Sequence, residues 1–326
     1  MKYLITGITG FAGPHLANLL IKEGHEVYGL SRASNGRETD ILDVVNREDF
    51  LKIKFIYADL TDRNSIAKAI KENKVDGIFH LAAQSHPPTS FKDPVGTFNT
   101  NVMGTIYLIE AVLEYQPECK IMFCSTSEVY GNEGRDKHLI LESDRILPSN
   151  PYGNSKASMD LYIQERFTNM KLNGFITRAF SHTGPRRGKT FSISSDAFQL
   201  AAPNIEILEI GNLETIRVVM DVRDTVMAYY KLMVNKNSNG QVFNVCGDTP
   251  RKMEFFTDML IDLSGTKVTK VINPNYYRKI DIAYQHGDCK KLKDLTGWST
   301  TIPIEQTLND LLNYWKTKWA NYTYII

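Results

Sequence analysis

Two residues four positions apart, Tyr152 and Lys156, carry side chains suited to proton transfer from a hydroxyl group. On a helix, this spacing places both side chains on one face. An ammonium group beside a phenol favours the phenolate, which lowers the pKa of tyrosine from its usual value near ~10. A phenolate can accept the proton of a sugar or alcohol hydroxyl. The same spacing is also common in ordinary surface pairs, so the pair indicates an enzyme only together with other signals.

A carboxylate precedes this pair in the run Ser125-Thr126-Ser127-Glu128, which also offers hydroxyl groups. Simple alcohol oxidation has no evident need for a carboxylate, so Glu128 suggests an additional proton transfer. The structural alternative is that its carboxylate caps the turn that follows. The candidate catalytic residues are therefore Thr126, Glu128, Tyr152 and Lys156.

The start of the chain has the pattern of a phosphate-binding turn. Three glycines are spaced Gly-x-x-Gly-x-x-Gly after a short apolar run and before an amphipathic segment. Glycine permits a tight turn and lets backbone N–H groups approach a pyrophosphate at the positive end of a helix. The candidate cofactor-binding residues of this turn are Gly7, Thr9, Gly10, Phe11, Ala12 and Gly13.

Short apolar runs alternate with helical patterns through the first half of the chain. Strands are predicted at 3–5, 26–30, 54–58, 77–81, 120–124 and 175–179. This alternation predicts an α/β fold with a doubly wound, Rossmann-like parallel sheet. Beyond about residue 180 the alternation ends, leaving helices near 222–233 and 305–316 and a strand at 242–245. We predict a dinucleotide-binding domain at 1–180 with a returning segment near 241–247, and mainly a smaller substrate-binding domain at 181–326.

The residues that follow the strands suggest how the cofactor is held. Leu30-Ser31-Arg32, at the end of the second strand, offers a guanidinium and no carboxylate, which favours NADP over NAD. A solvated charge at the strand end is the alternative role for Arg32. Further candidate cofactor contacts follow the third and fourth strands, at Asp59, Leu60, Leu81, Ala82, Ala83 and Ser85.

Composition excludes several classes of protein. The 326 residues include 38 Lys plus Arg against 37 Asp plus Glu, a balance that gives no case for bulk nucleic-acid binding. The four cysteines lack metal-ligand spacing and fit reduced thiols in a cytoplasmic protein. No segment reaches the ~18 apolar residues of a membrane span, and the N-terminal apolar run is too short for a signal peptide. We therefore expect a cytoplasmic enzyme without a metal ion or membrane association.

In combination, these features resemble the extended short-chain dehydrogenase/reductase family that works on nucleotide sugars, over nearly the whole chain. Within that family the sequence looks most like the GDP-mannose 4,6-dehydratases, and almost as much like the GDP-4-keto-6-deoxy-mannose reductases. The resemblance to the dehydratases rests on Gly7-Ile8-Thr9-Gly10, Ser125-Thr126-Ser127-Glu128, Ser149-Asn150-Pro151-Tyr152, His182 with Pro185-Arg186-Arg187-Gly188, Gly211-Asn212-Leu213-Glu214 and Pro274-Asn275-Tyr276-Tyr277-Arg278.

The resemblance implies a reaction in which NADP is recycled. Tyr152 would deprotonate the 4-hydroxyl of the sugar, while Lys156 lowers its pKa and Thr126 hydrogen-bonds the 4-oxygen. Glu128 would then remove the proton at carbon 5, so that water leaves from carbon 6. The implied substrate is GDP-mannose or a related GDP-hexose or heptose, and the product is its 4-keto-6-deoxy form. The implied cofactor contacts outside the glycine turn are His182 and Arg187, and the implied GDP-sugar contacts are Ser85, Ser181, Arg186, Arg217 and Arg278.

The sequence leaves several alternatives open. A reductase or 4-epimerase of the same family would use the same Tyr152 and Lys156. A dinucleotide-sensing scaffold without turnover has no reason to keep Thr126 with that pair. Departures from the dehydratase pattern at Phe11 and Ser181 leave the exact sugar undetermined. The family habit implies a homodimer formed through a four-helix interface. The long connection at 32–52 adds a homotetramer as an alternative.

Overall fold

The computed structural model describes residues 1–34, 36–276 and 281–323. Its strands are β1 (Lys2–Thr6), β2 (Glu26–Ser31), β3 (Lys54–Tyr57), β4 (Gly77–His80), β5 (Lys120–Thr126), β6 (Gly174–Ala179), β7 (His182–Thr183), β8 (Ile207–Ile210), β9 (Ile216–Val218), β10 (Met220–Asp221), β11 (Val242–Val245), β12 (Pro250–Lys252), β13 (Thr269–Ile272) and β14 (Tyr284–Gln285). Its α-helices are α1 (Ala12–Lys22), α2 (Arg47–Phe50), α3 (Arg63–Glu72), α4 (Pro87–Lys92), α5 (Pro94–Phe98), α6 (Gly104–Tyr115), α7 (Pro151–Asn169), α8 (Ser192–Leu200), α9 (Val222–Val234), α10 (Met253–Ser264), α11 (Lys290–Thr296) and α12 (Ile304–Thr323).

Seven strands form a sheet in the order β11-β6-β5-β4-β1-β2-β3, and every neighbouring pair in it is parallel. The predicted doubly wound α/β fold is thereby confirmed. The edge strand β11 pairs with β6, with Val242 opposite Ile176 and Val245 opposite Ala179. The carboxyl ends of these parallel strands share one edge of the sheet, which is where ligands of such folds bind.

Alternating side chains of the strands are buried on both faces of the sheet. Ile5 and Phe79 join a cluster with residues of α1 and α9, whereas Leu4 and Ile78 join a second cluster with residues of α3 and α6. A sheet covered by helices on both faces requires this nearly continuous apolar pattern in its strands. The apolar runs from which the strands were predicted therefore supply side chains to two cores, one on each face of the sheet.

A third cluster lies in the C-terminal half, where α8, α10 and α12 pack together with β8. The strands of this half form small sheets, with β12-β9-β14 in one and β13-β8 in another. The helix α9 instead packs on α1, and α11 packs on β11. Elements from the second half of the chain therefore pack both against the seven-stranded sheet with its helices and in the third cluster.

A buried ion pair fixes α7 against the sheet. Arg178 of β6 donates two hydrogen bonds of 2.9 Å to the two carboxylate oxygens of Asp160 on α7. Asp160 also accepts a bond of 2.7 Å from Ser125 of β5. Removing one partner of such a pair typically costs about 3–5 kcal/mol, because the other charge stays buried without compensation. The pair thereby sets the position of the helix that carries Tyr152 and Lys156.

A π-helical turn at Asn99–Met103 joins α5 to α6. Its buried Asn101 donates hydrogen bonds of 2.9 Å to the carbonyl of Gln84 and to the hydroxyl of Ser155 on α7. π-Turns inside helices occur frequently at functional sites. The turn was not predicted from the sequence. It connects the segment after β4 to α7.

Candidate active site

The four candidate catalytic residues lie on β5, on the turn after it and on α7. Thr126 is the last residue of β5, and Glu128 follows in the 3₁₀ turn Ser127–Tyr130. Tyr152 and Lys156 lie one helical turn apart at the start of α7, and both are almost completely buried. The strand end and the helix start therefore meet at the edge of the sheet that binds ligands.

Local capping determines where α7 begins. Asn150 has an extended backbone, and its side chain accepts a hydrogen bond of 2.7 Å from the backbone N–H of Gly153. Pro151 takes the first helical position, where its missing N–H costs nothing. The backbone N–H of Tyr152 donates to the hydroxyl of Ser90 at 3.0 Å. The first turn of α7 is therefore rigid before any ligand binds.

Burial dominates the protonation of the Tyr152–Lys156 pair. It raises the pKa of the Tyr152 phenol well above its ordinary value, whereas a hydrogen bond with Thr126 and the charge of Arg187 act to lower it. Burial also lowers the pKa of the Lys156 ammonium, whose nitrogen lies 4.5 Å from the centre of the Phe123 ring. The predicted lowering of the Tyr152 pKa by Lys156 is therefore wrong for the described structure, because desolvation pushes both groups toward their neutral forms.

The Glu128 carboxylate is held by a neighbouring side chain. Its Oε2 accepts a hydrogen bond of 2.7 Å from the amide nitrogen Nδ2 of Asn150. The backbone N–H of Glu128 donates to the Thr126 hydroxyl at 3.3 Å, so Thr126 caps the 3₁₀ turn Ser127–Tyr130. The carboxylate thus reaches toward the start of α7, where Tyr152 lies.

The glycine turn has the geometry of a phosphate cradle. Gly7 has a φ of +72°, and a Cβ there would lie 2.9 Å from the backbone nitrogen of Ala82. A Cβ at Gly13 would lie 2.5 Å from the carbonyl oxygen of Ile8. Phe11, the residue before α1, has no polar side-chain atom to occupy the first N–H groups of the helix. The turn and helix therefore fit the pyrophosphate of a dinucleotide.

Aromatic and charged side chains stack beside the glycine turn. The ring of Phe11 is stacked on His182, with centroids 5.7 Å apart and an interplanar angle of 12°. The Arg187 guanidinium lies 4.8 Å from the ring of Phe11 and 3.5 Å from that of Phe191. Burial and then the charge of Arg187 lower the pKa of His182 to about 4, so its imidazole is neutral at pH 7. The stack presents one cation close to the predicted cofactor site.

Arg186 occupies a different environment from that predicted for a GDP-sugar ligand. Its buried guanidinium donates to the carbonyl oxygens of Thr9 at 3.1 Å and Gly10 at 3.3 Å, and pairs with Asp43 at 2.9 Å. Its backbone φ of +72° is unusual for a residue other than glycine. The guanidinium of Arg186 therefore supports the glycine turn, and its hydrogen bonds are made to protein groups.

The connection at 32–52 folds back on its own chain. Besides pairing with Arg186, Asp43 accepts hydrogen bonds from Lys318 at 2.7 Å and from Tyr314 at 3.3 Å, both on α12. Short helical segments at Glu38–Asp43 and at α2 lie within this connection. Its carboxylates therefore find partners within the same chain.

The end of β2 carries both a cation and a carboxylate. Arg32 is exposed there. Glu38, seven residues after Ser31, accepts a hydrogen bond of 2.9 Å from the Ser31 hydroxyl. The sequence predicted no carboxylate at this strand end, because Glu38 follows a connection whose path is not visible in the sequence. Glu38 therefore lies near the position expected for the adenosine ribose.

The predicted contacts after β3 and β4 lie along the same edge of the sheet. Asp59 accepts hydrogen bonds of 2.9 Å from the backbone and the hydroxyl of Thr61. The Ala82 N–H donates to Thr6 at 3.1 Å, which ties this segment to the end of β1. Of the other predicted contacts, one is buried, two are half-buried and one is exposed, namely Leu60, Leu81, Ala83 and Ser85 in that order.

The predicted GDP-sugar residues are more widely distributed. Ser181 lies between β6 and β7, and its carbonyl accepts a hydrogen bond of 3.1 Å from the N–H of Met220. Arg217 of β9 lies 3.5 Å from the carboxylate of Asp281. Arg278 lies outside the described residues. Thr126, Glu128, Tyr152 and Lys156 thus lie at the end of β5 and the start of α7, whereas Arg217 lies on β9.

Two kinds of feature, a cluster of metal ligands and a membrane-spanning helix, are absent from the described residues. No group of three or more metal-ligating side chains is found in 1–34, 36–276 and 281–323. In the same part of the chain, no helix is both long and apolar enough to cross a bilayer.

The fold and the Thr126, Tyr152 and Lys156 arrangement define an extended short-chain dehydrogenase/reductase. Residues 4–311 match the family model described as GDP-mannose 4,6 dehydratase, and the chain belongs to that family.

Curated relatives within the family have two different names. The chain is 29% identical to the GDP-6-deoxy-D-mannose reductase of Pseudomonas aeruginosa, with 97% of this chain and 98% of the relative covered. It is 28% identical to the GDP-mannose 4,6-dehydratase of Yersinia enterocolitica (95% and 92% covered) and 27% identical to that of Homo sapiens (95% and 90% covered). The chain is therefore about equally similar to reductases and dehydratases.

Solved structures share the fold over almost the whole chain. The protein RMD of Pseudomonas aeruginosa, complexed with NADPH, matches with a TM-score of 0.80 and 26% identity, covering 97% of this chain and 99% of that one. A UDP-glucose 4-epimerase of Thermotoga maritima matches with a TM-score of 0.85 and 24% identity, covering 98% and 99%. At that identity the epimerase supports the fold alone.

Proposed function

We propose that the protein is an NADP-dependent 4,6-dehydratase of GDP-mannose or of a related GDP-hexose or heptose. The observation that carries the proposal is the Glu128 carboxylate, held at 2.7 Å by Asn150 beside Thr126 and the start of α7. An alcohol oxidation needs Tyr152 and Lys156, whereas removal of a second proton needs a further base. Membership of the dehydratase family supports the same reaction.

Each catalytic residue has a role that its surroundings support. Tyr152 takes the proton of the sugar 4-hydroxyl, and Thr126 hydrogen-bonds the same oxygen. Lys156 lies one helical turn from Tyr152 on the same face of α7 and, when protonated, favours the phenolate. A nicotinamide held at this site would supply a hydride acceptor for carbon 4 and a hydride donor for carbon 6. Glu128 removes the carbon 5 proton, which the neighbouring 4-ketone makes acidic.

The glycine turn and the stack provide the proposed cofactor contacts. Backbone N–H groups of the turn and of α1 suit the pyrophosphate, and Arg187 adds a cation beside them. His182 lies next to this cation as a neutral ring. Arg186 acts indirectly, by holding the carbonyls of Thr9 and Gly10. Binding of NADPH by the related RMD protein supports the choice of NADP.

Cofactor preference depends on opposite charges at the end of β2. Arg32→Ala is expected to weaken NADP binding by about tenfold to a hundredfold and to change NAD binding little, because a phosphate loses a charge-assisted contact. Glu38→Gln is the matched variant at the same strand end, and it is expected to strengthen NADP binding by removing a negative charge near the 2′-phosphate. Titration calorimetry with both dinucleotides measures each effect. Equal losses of NAD and NADP affinity in Arg32→Ala would contradict this assignment.

The proposed GDP-sugar contacts are Ser85, Ser181, Arg217 and Arg278. Arginine suits diphosphate and ribose recognition because its planar fork donates two parallel hydrogen bonds. For Arg217 the neighbouring Asp281 is a competing partner, at 3.5 Å. We do not extend this set to Arg186, whose guanidinium is engaged beneath the glycine turn.

The second candidate is a GDP-4-keto-6-deoxy-mannose reductase, which the similarity to the Pseudomonas reductase favours. Mass spectrometry distinguishes the two reactions. Purified protein loaded with a stoichiometric amount of NADP is incubated with GDP-mannose. A product lighter by one water, with no net consumption of cofactor, supports the dehydratase. Unchanged GDP-mannose, together with oxidation of NADPH by the 4-keto-6-deoxy sugar, would establish the reductase instead.

We further propose that the protein is a cytoplasmic homodimer. Its four cysteines are free thiols. A groove of about 550 Å³ on α5 and the π-helical turn Asn99–Met103 is lined by apolar side chains, including Val95, Val102 and Met103. This surface lies beside α7, as the family's four-helix interface requires. The connection at 32–52 makes its contacts within its own chain through Asp43, which gives no support to the tetramer.

A charge in the apolar groove is expected to separate the dimer. Val95 is 78% exposed in the single chain, so Val95→Glu costs little in folding but places a carboxylate in the proposed interface. Light scattering after gel filtration should show a monomer for this variant and a dimer for the wild type. Leu51→Glu is the control, because Leu51 is 75% exposed in the connection at 32–52. A loss of assembly in the control alone would place the interface at that connection.

A further inference from the structure

Asn150 connects the candidate base to the helix that carries the candidate acid. Its amide nitrogen donates to Oε2 of Glu128 at 2.7 Å, and its amide oxygen accepts from the N–H of Gly153 at 2.7 Å. One planar side chain therefore binds the Glu128 carboxylate and the first turn of α7 at once. Its own backbone is fixed in an extended conformation by the following Pro151.

The backbone around Glu128 is also held tightly. A Cβ on Gly153 would lie 2.8 Å from the carbonyl oxygen of Glu128, so α7 begins in direct contact with this turn. The N–H of Leu147 donates to the carbonyl of Val129 at 2.9 Å. On the other side, the amide of Gln285 donates to the carbonyl of Ser127 at 3.0 Å. With the backbone fixed, the direction of the carboxylate depends on its side-chain torsions.

We propose that Asn150 is a positioning residue that directs the Glu128 carboxylate toward the sugar carbon from which it removes a proton. This inference rests on the proposed dehydratase function. A charge-assisted N–H···O⁻ bond restricts the rotation of the carboxylate, and a base misplaced by about 1 Å can lose ~10²-fold in rate. Because Asn150 also caps α7, the positions of Glu128 and Tyr152 are determined together.

The step that depends on Asn150 is elimination from the 4-keto sugar. Glu128 takes the proton of carbon 5, and the electrons of that C–H bond form a double bond between carbons 5 and 6. The C6–O bond breaks, and its oxygen leaves as water with the proton that Glu128 took from carbon 5. The hydride that left carbon 4 would return to carbon 6, and carbon 5 would take a proton from solvent, while the proton that Tyr152 took from the 4-hydroxyl passes to solvent. The bond from Asn150 to Glu128 has no part in the earlier oxidation at carbon 4, which depends on Asn150 only through its cap of α7.

Asn150→Ser tests this role while keeping the helix cap. Serine is as good an N-cap as asparagine, but its short hydroxyl cannot span the distance to both Glu128 and Gly153. We expect kcat for water loss to fall about 10²-fold with little change in KM. Oxidation at carbon 4 should continue, so the absorbance of reduced nicotinamide should build up on the enzyme. Uptake of solvent deuterium at carbon 5 should slow in parallel.

Asn150→Asp is the second variant. It keeps the acceptor for Gly153 but places a carboxylate against that of Glu128, and it should impair elimination further. The thermal unfolding midpoint of each variant reports whether the cap is kept. Crystal structures of both ligand-free variants should show the Glu128 side chain turned away from its wild-type direction.

The outcomes separate this inference from the function on which it rests. Water loss by the wild type and normal elimination by Asn150→Ser, with no build-up of reduced cofactor, would overturn the positioning role alone. A wild type that leaves GDP-mannose unchanged would overturn the dehydratase proposal, and Asn150 would then be a helix cap only. An equal slowing of carbon 4 oxidation and elimination would also reject the inference, because it would indicate general damage to α7.

Discussion

Tyr152→Phe is expected to lower kcat about 10³-fold and to leave dinucleotide affinity nearly unchanged. The phenol is buried and lies within hydrogen-bonding range of Thr126, so its hydroxyl is the group that can exchange a proton with the sugar. Losing a positioned general base typically costs about 10²- to 10⁴-fold. Tyr162→Phe is the control on the same helix, since the Tyr162 hydroxyl bonds to Glu110 at 2.6 Å on the exposed side. Stopped-flow measurement of nicotinamide reduction separates this step from elimination.

The rate of carbon 4 oxidation is expected to rise with pH. Burial raises the pKa of Tyr152, so at neutral pH the phenol of the ligand-free protein is protonated. The phenolate fraction then increases about tenfold for each pH unit, and carbon 4 oxidation should accelerate as pH rises. The same shift affects stability, because the unfolded chain loses this proton above about pH 10 while the folded chain keeps it. Stability should therefore fall as pH rises above about 10, and less steeply in Tyr152→Phe.

Two results would contradict the role of Tyr152. Nicotinamide reduction at the wild-type rate in Tyr152→Phe would remove it from the proton transfer. A flat pH profile of that reduction would show that another group takes the proton. In the second case Glu128 would be the remaining candidate, because it lies on the adjacent turn.

The sheet could be predicted from the sequence because each strand is a short apolar run that ends in small or polar residues. The run Tyr3-Leu4-Ile5 reads as buried on both faces, and the structure places Ile5 and Leu4 in opposite cores. Parallel strands covered by helices leave this pattern in the sequence. The π-helical turn at Asn99–Met103 leaves no such pattern, because its residues continue the helical periodicity.

The site could be predicted only where its contacts are local in sequence. Tyr152 and Lys156 are four residues apart, so their spacing predicted that they share one face of a helix, as α7 shows. The contact of Asn150 with Glu128 spans 22 residues, and that of Arg186 with Asp43 spans 143. The spacing of residues contains no information on such pairs. Arg186 was predicted as a GDP-sugar ligand from the family resemblance, whereas in the structure its guanidinium binds Asp43 and the carbonyls of the glycine turn.

Glu128→Gln is the variant that separates dehydratase from reductase. Glutamine keeps the size of the side chain and an oxygen that can accept the 2.7 Å bond from Asn150, but it cannot take a proton from carbon 5. If the protein is a dehydratase, water loss should fall about 10²- to 10⁴-fold. Oxidation at carbon 4 should persist, so reduced cofactor and the 4-keto hexose should build up. Deuterium from solvent should no longer enter carbon 5.

A reductase predicts a different result for the same variant. Reduction of a 4-ketone uses Tyr152 as the acid and needs no proton transfer at carbon 5, so Glu128→Gln should then retain most of its activity. Glu133→Gln, in the next 3₁₀ turn at Glu133–Asp136, controls for loss of a carboxylate near this segment. Build-up of reduced cofactor in Glu128→Gln but not in Glu133→Gln identifies the carbon 5 base. Because Asn150→Ser should show the same build-up to a smaller extent, the two variants together test whether one hydrogen bond orients that base.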